Sequence, residues 1–231
     1  MIIEFTDTYG ISEDCKPVPA SKLIPEWYKN TESYIGGVKV PGENGSTKAT
    51  VKKCIPVFDA ITAGYLILLP ADVWVTLKEI DGQTVQWFEW ANFGLISWHP
   101  IDQAPLHPAR KPYPYAKFNN PWSIKTPKGY SCLFVQPFHR EAPFTVLPGV
   151  VDTDTYIPPV NFPMVINDPK FEGLIPMGTP IVQVIPFKRD SWNIEFGSEE
   201  TYKKQIAVTS KLRSKFYDKY KTMFWSKKEY K

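Results

Sequence analysis

Asp72-Val-Trp-Val-Thr-Leu-Lys-Glu-Ile-Asp-Gly-Gln-Thr-Val-Gln-Trp-Phe-Glu-Trp90 decides the fold class. Two runs, residues 72–80 and 83–90, flank Asp81-Gly82. Such a dipeptide turns a two-residue hairpin because both central positions must take positive φ. Val73, Val75 and Leu77 alternate with polar or amphipathic neighbours, the period of a strand with one buried face. Just upstream, residues 63–69 form a compact apolar run, as for a strand buried on both faces. Downstream, residues 130–136, 144–151, 163–166 and 180–187 read as further short strands. Pro127-Lys-Gly129 and Pro176-Met-Gly178 read as turns.

Composition agrees. The 231 residues are 43% hydrophobic and 22% charged, ordinary for a globular chain able to bury a sizeable core. Proline, 23 residues, is roughly twice its usual ~5%. It interrupts almost every apolar run, so long helices are not expected before the C-terminal region. The longest apolar stretch, residues 63–75, is short of the ~18–20 residues that span a bilayer and is broken by Pro70 and Asp72. No membrane partner is expected. Met-Ile-Ile-Glu-Phe-Thr-Asp7 has neither a basic region nor a long apolar core, so synthesis in the cytoplasm is the expectation. Cys15, Cys54 and Cys132 form no C-x-x-C and indicate neither a disulfide framework nor a cysteine-rich zinc site.

The first 50 residues read as an irregular arm, with a short helical turn from Pro25 and a glycine-rich loop over residues 36–48. From Ser198 the chain has no proline or glycine. Ser198 can cap a helix, with Glu199 and Glu200 at its positive end. Tyr202, Ile206, Leu212, Phe216, Tyr220 and Met223 approximate one face. The expected organisation is a β domain over residues 1–197 with a basic helix, 198–231, packed on it. Residues 203–231 hold ten Lys/Arg against Asp218 and Glu229, a charge of +8. Of the overall +3, that leaves the rest of the chain at −5. The basic tail is a candidate contact for nucleic acid or another polyanion; a solvated face is the alternative.

His99, His107 and His139 are the only histidines. His99, in Trp98-His-Pro-Ile-Asp-Gln103, sits near Asp102 and Gln103 and makes His99 and Gln103 candidate ligand-binding residues. A metal-dependent enzyme is one reading of this stretch, but no H-x-D or H-x-x-x-H spacing is present, so no metal is assigned. Trp74, Trp87, Trp90, Trp98 and Trp122 either pack in the core or offer rings for stacking.

Pro148-Gly-Val-Val-Asp-Thr-Asp-Thr-Tyr156, Asn161 and Gly173-Leu-Ile-Pro-Met-Gly-Thr-Pro-Ile-Val-Gln-Val-Ile185, with Pro127-Lys-Gly-Tyr130 before them, resemble the dUTPase and dCTP-deaminase superfamily. That superfamily places a G-V-I-D-x-x-Y turn before an Asn-containing strand and a G-x-x-I-A-Q-L strand. The resemblance covers residues 121–189. It implies a β-clip fold, a homo-oligomer with a trimer favoured, and a nucleotide as candidate ligand. It also implies a catalytic Asp152 acting as general base on water, a Tyr156 packed on deoxyribose, and ligand-binding roles for Asp154, Asn161 and Gln183. On this reading Asp152 lies at the tip of a turn lining a deep cleft, with Gln183 supporting the strand from within. The chain departs from the family in three places. Ile157-Pro158-Pro159 stands where a glycine follows the tyrosine, Gln136-Pro-Phe-His-Arg140 stands in place of the P-R-S phosphate element, and no glycine follows Gly197. Catalysis on a triphosphate needs those donors together. A second resemblance, to an uncharacterised family of tailed phages and bacteria, rests on Pro19-Ala-Ser-Lys-Leu-Ile-Pro-Glu-Trp-Tyr28, Asp59-Ala-Ile-Thr-Ala-Gly-Tyr65, Asn120-Pro-Trp122, Gly129-Tyr-Ser-Cys-Leu-Phe134 and Gly149-Val-Val-Asp-Thr-Asp154. It implies a phage-encoded protein, in the host cytoplasm or the virion. The expected function is a non-catalytic structural, assembly or ligand-binding role, with a nucleotide-directed enzyme as the alternative and no cofactor.

Overall fold

The computed structural model describes residues 1–10, 13–37, 48–91, 94–103, 107–108, 115–214 and 219–231. Its strands are β1 (Glu4–Asp7), β2 (Val18–Pro19), β3 (Tyr65–Leu68), β4 (Val73–Ile80), β5 (Gln83–Trp90), β6 (Ile96–His99) and β7 (Tyr115–Phe118). They continue as β8 (Trp122–Lys125), β9 (Tyr130–Val135), β10 (Phe144–Val146), β11 (Gly149–Val151), β12 (Phe162–Ile166), β13 (Gly173–Ile175) and β14 (Pro180–Lys188). The α-helices are α1 (Glu26–Asn30), α2 (Ile55–Thr62), α3 (Glu199–Ser214) and α4 (Lys219–Met223). The protein is mainly β. Its four antiparallel sheets run β1-β8, β10-β12-β7-β6, β11-β9-β14-β3-β2 and β13-β4-β5.

The hairpin forms as its turn residues dictate: Asp81 and Gly82 have φ of 51° and 73°, and Ile80 pairs with Gln83. Val73, Val75 and Phe88 are buried on its inner face, while Trp74 and Trp87 remain exposed on the other. β3 is buried on both faces, with Ile67 in the main core and Leu66 and Leu68 packed with Ala20 on the other side. Gly64, just before it, has φ 64°, and a Cβ there would lie 1.9 Å from the Val184 carbonyl oxygen. Only glycine lets β3 approach β14 this closely. The main core lies between the sheets, where Phe118 meets Phe144 at 5.2 Å and Phe134 meets Phe162 at 5.7 Å.

The first 50 residues are less irregular than expected, because β1 pairs with β8 and β2 with β3. The glycine-rich loop lies outside the described residues from 38 to 47. The single strand expected over 144–151 is two strands in different sheets. β10 pairs with β12 and β11 with β9, and Pro148, which has no N–H to donate, stands at the crossing. Helix α3 is capped as expected, Ser198 Oγ accepting from the Thr201 N–H at 3.3 Å. It does not pack on the body as one helix to residue 231: its described side chains from 199 to 210 are exposed, and α4 follows as a separate turn. Leu212 and Phe216 of the expected apolar face fall where side chains are not described. The packing comes instead from residues 225–231. Trp225 Nε1 donates to the Asp59 carboxylate at 3.0 Å, Lys228 pairs with the same group at 2.7 Å, and the Tyr230 ring lies 5.9 Å from that of Tyr65. No helix among the described residues is long and apolar enough to cross a membrane.

Candidate functional site

β11 delivers Val151 to the turn Asp152-Thr-Asp-Thr-Tyr156. The Asp152 carbonyl accepts from the N–H groups of Thr155 (3.1 Å) and Tyr156 (2.9 Å), closing one helical-type turn. Thr153 is fully buried beneath it. Its hydroxyl meets that of Thr126 at 2.8 Å and donates to Cys132 Sγ at 3.3 Å. Burial raises the Cys132 thiol above its ordinary value, opposed by that hydrogen bond, so Cys132 is held as an inert neutral thiol.

The two carboxylates differ. Asp154, with only 3% of its side chain exposed, accepts the Gly129 N–H at 2.7 Å and both arms of the Arg189 guanidinium. The Arg189 fork and then the Gly129 N–H hold it well below the usual carboxylate range, at about 2. Asp152, 60% exposed, takes Ser131 Oγ–H at 2.7 Å and Arg189 Nη1 at 3.1 Å, both on Oδ1. Asp154 is therefore a fixed anion with its capacity used, and Asp152 is the one carboxylate of the turn that still faces solvent. Tyr156, four residues on, is half exposed.

Gln183 lies elsewhere and is fully buried. Its Oε1 accepts from the Phe138 N–H at 3.0 Å and its Nε2 donates to the carbonyls of Ala60 and Ala63 at 2.9 and 2.7 Å. It ties the end of α2 and the bend after β9 to β14, with both amide N–H groups used and one N–H accepted by Oε1. Asn161 Oδ1 accepts the Asn120 N–H at 3.1 Å and fixes the entry to β12. His99 Nδ1 and Gln103 Oε1 bond one another, on a different sheet from Asp152. Trp122 is core, whereas Trp74, Trp87 and Trp98 are exposed. Among the described residues no group of three or more His, Cys, Asp and Glu comes together.

Asp152 and Tyr156 border none of three hollows found among the described residues. Two of these flank the returning residues 225–231. The third, of about 690 Å³, is an open groove beyond the end of β9, walled by Trp27 and Phe138. Sequence reading missed Arg189 and this groove. The signal for Arg189 was two aspartates two residues apart in a turn, which need a cation; only the β9–β14 register, Tyr130 opposite Lys188, shows which one. No family model and no curated protein matches the chain.

Proposed function

We propose that this chain is a non-catalytic β-clip protein of tailed phages or bacteria that works by association, as a subunit of a homo-oligomer. The observation that carries the reading is the segment after β14. Trp192, Ile194 and Phe196 alternate with polar residues, as in a strand, yet stand 90%, 85% and 88% exposed. Soluble proteins seldom leave such a row uncovered unless it meets a partner. The turn supports the same side: Asp154, one of its two carboxylates, is committed to the Arg189 fork and the Gly129 N–H. The resemblance of residues 121–189 to β-clip proteins favours a trimer. Light scattering at micromolar concentration tests this. A mass that is a multiple of 26.5 kDa is expected, and a clean monomer overturns it.

The second reading is a nucleotide-directed site at Asp152, favoured by the exposure of Asp152 and Tyr156 on one turn. Its test is titration with pyrimidine nucleotides and thermal melting of wild type and Asp152→Asn. Binding by wild type that the variant loses, with an unchanged melt, supports it; no nucleotide bound by either removes it.

A further inference from the structure

The opening Pro-Ala-Ser-Lys-Leu-Ile-Pro-Glu-Trp-Tyr28 has a structural consequence. It wraps the body so that Trp27 Nε1 donates to the His139 carbonyl at 2.7 Å and the Leu23 carbonyl accepts from Arg140 Nη2. This builds the 690 Å³ groove, whose apolar wall is Trp27, Val135, Pro137, Phe138, Val146 and Pro148. Arg140 and Glu141 line the same groove, with no ion pair between them. The Arg140 Nε is buried without a hydrogen-bond partner, and no carboxylate among the described residues pairs with it. Burial pulls the guanidinium below its ordinary value. A part-buried guanidinium beside an apolar wall suits an apolar segment that brings a carboxylate to its free N–H groups.

The chain itself exposes such a segment: Trp192-Asn-Ile-Glu-Phe196, with Glu195 exposed within the apolar row. It does not occupy its own groove. The segment leaves β14 beside Gly129, the Arg189 N–H bonding the Gly129 carbonyl at 2.9 Å. The groove begins at Val135, which pairs with Gln183 at the other end of the β9–β14 ladder. Five strand residues separate the two ends, roughly 17 Å. The four residues from Lys188 to Trp192 extend at most about 14 Å, and Trp192, Ile194 and Phe196 all stand exposed rather than seated in a groove of their own chain.

We infer that residues 190–197 are an exchange arm, laid into the groove between Trp27 and Pro148 of a second copy of this chain with Glu195 paired to Arg140. The inference rests on the association reading above. Because arm and groove sit at opposite ends of the same sheet, the contact is head-to-tail, and a head-to-tail contact that closes makes a ring.

The test uses the full chain. Light scattering on Trp192→Ser/Phe196→Ser, whose changes lie on exposed side chains, is expected to give the 26.5 kDa monomer, still folded by circular dichroism and with a melt that no longer depends on concentration. Glu195→Arg is expected to weaken association about 30-fold or more, and Glu195→Arg/Arg140→Glu to restore it. A fluorescein-labelled peptide of residues 189–197 should bind the Trp192→Ser/Phe196→Ser chain by anisotropy, and adding Arg140→Gln should lower its affinity about tenfold or more. Wild type that is a monomer and a peptide that does not bind overturn both the inference and the association reading. An oligomer whose mass survives Trp192→Ser/Phe196→Ser overturns the inference alone. Peptide binding indifferent to Arg140→Gln overturns the assignment to this groove.

Discussion

Replacing Gln183 by leucine asks whether this residue is scaffold or site. Leucine keeps most of the volume, so little cavity arises; what is lost is hydrogen bonding. The Phe138 N–H loses its acceptor at 3.0 Å and the Ala63 carbonyl its donor at 2.7 Å. The Ala60 carbonyl keeps a weak bond from the Ala63 N–H at 3.5 Å. Two part-buried backbone groups are therefore orphaned. Each costs about 1–2 kcal/mol, the lower part of the range for unsatisfied buried groups, because neither is sealed from water. The expected destabilisation is about 3 kcal/mol, a substantial share of the ~5–15 kcal/mol that holds a typical domain. For a chain of this length it lowers Tm by roughly 6–12 °C. Urea titration followed by tryptophan fluorescence measures it, with the m-value checked for constancy. A loss under about 1 kcal/mol at unchanged m would show that the Gln183 amide is not engaged by Phe138 and α2. It would return Gln183 to the set of residues free to meet a ligand.

Arg189→Gln removes the fork that holds Asp154. A carboxylate whose folded pKa is depressed contributes stability above its unfolded pKa and loses it as pH falls through the folded value. Asp154 therefore makes wild type lose stability between about pH 4 and pH 2. Glu229, also held at about 2 by Lys227 and Lys231, contributes in the same window, so the variant's acid melt should flatten without becoming level. An unchanged acid slope would refute the clamp. Gly64→Ala must place its methyl 1.9 Å from the Val184 oxygen at φ 64°. It is expected to cost at least ~2 kcal/mol, and a variant that melts like wild type would contradict the β3–β14 approach. If residues 203–231 contact a polyanion, duplex DNA affinity at ~50 mM salt should fall steeply as salt rises; no binding there leaves the tail as a solvated surface.

The parts legible in the sequence are those whose cause is local. Asp81-Gly82 fixes its hairpin because both residues tolerate the positive φ that a two-residue turn requires, and Gly129 and Gly178 serve their turns the same way at 87° and 81°. The run before Pro70 reads as doubly buried because its neighbours on both faces are apolar. Pairings set by distant chain were not legible. β1 is four residues long, and nothing in Glu-Phe-Thr-Asp names Ile124 as the partner of Phe5. α2 is missed because eight residues beginning Ile-Pro are too few to show a helical period, although proline near the start suits a first turn. Residues 144–151 read as one apolar strand because the pattern carries no mark of a change of sheet except Pro148. At the site, Asp152 to Tyr156 reads correctly as a turn, but the turn does not reveal that Asp154 points inward and Asp152 outward. That follows from Arg189 and Gly129, which arrive from two other segments.

Arg189 joins the two halves of the functional reading. Its N–H bonds the Gly129 carbonyl and its guanidinium bonds Asp154 and Asp152, so it is fixed at both backbone and side chain. It is also the last residue so fixed before the exposed row at Trp192, Ile194 and Phe196. A segment that must cross to another molecule needs a rigid point of departure, since freedom at its root adds to the entropy lost on docking. Two carboxylates and a buried threonine provide that point here. Because Asp154 sits on the guanidinium at both nitrogens, it cannot leave to serve a substrate without loosening the root of the arm. In the proposed exchange the acidic turn serves as the anchor of the arm, through the Arg189 contacts to Asp152, Asp154 and Gly129.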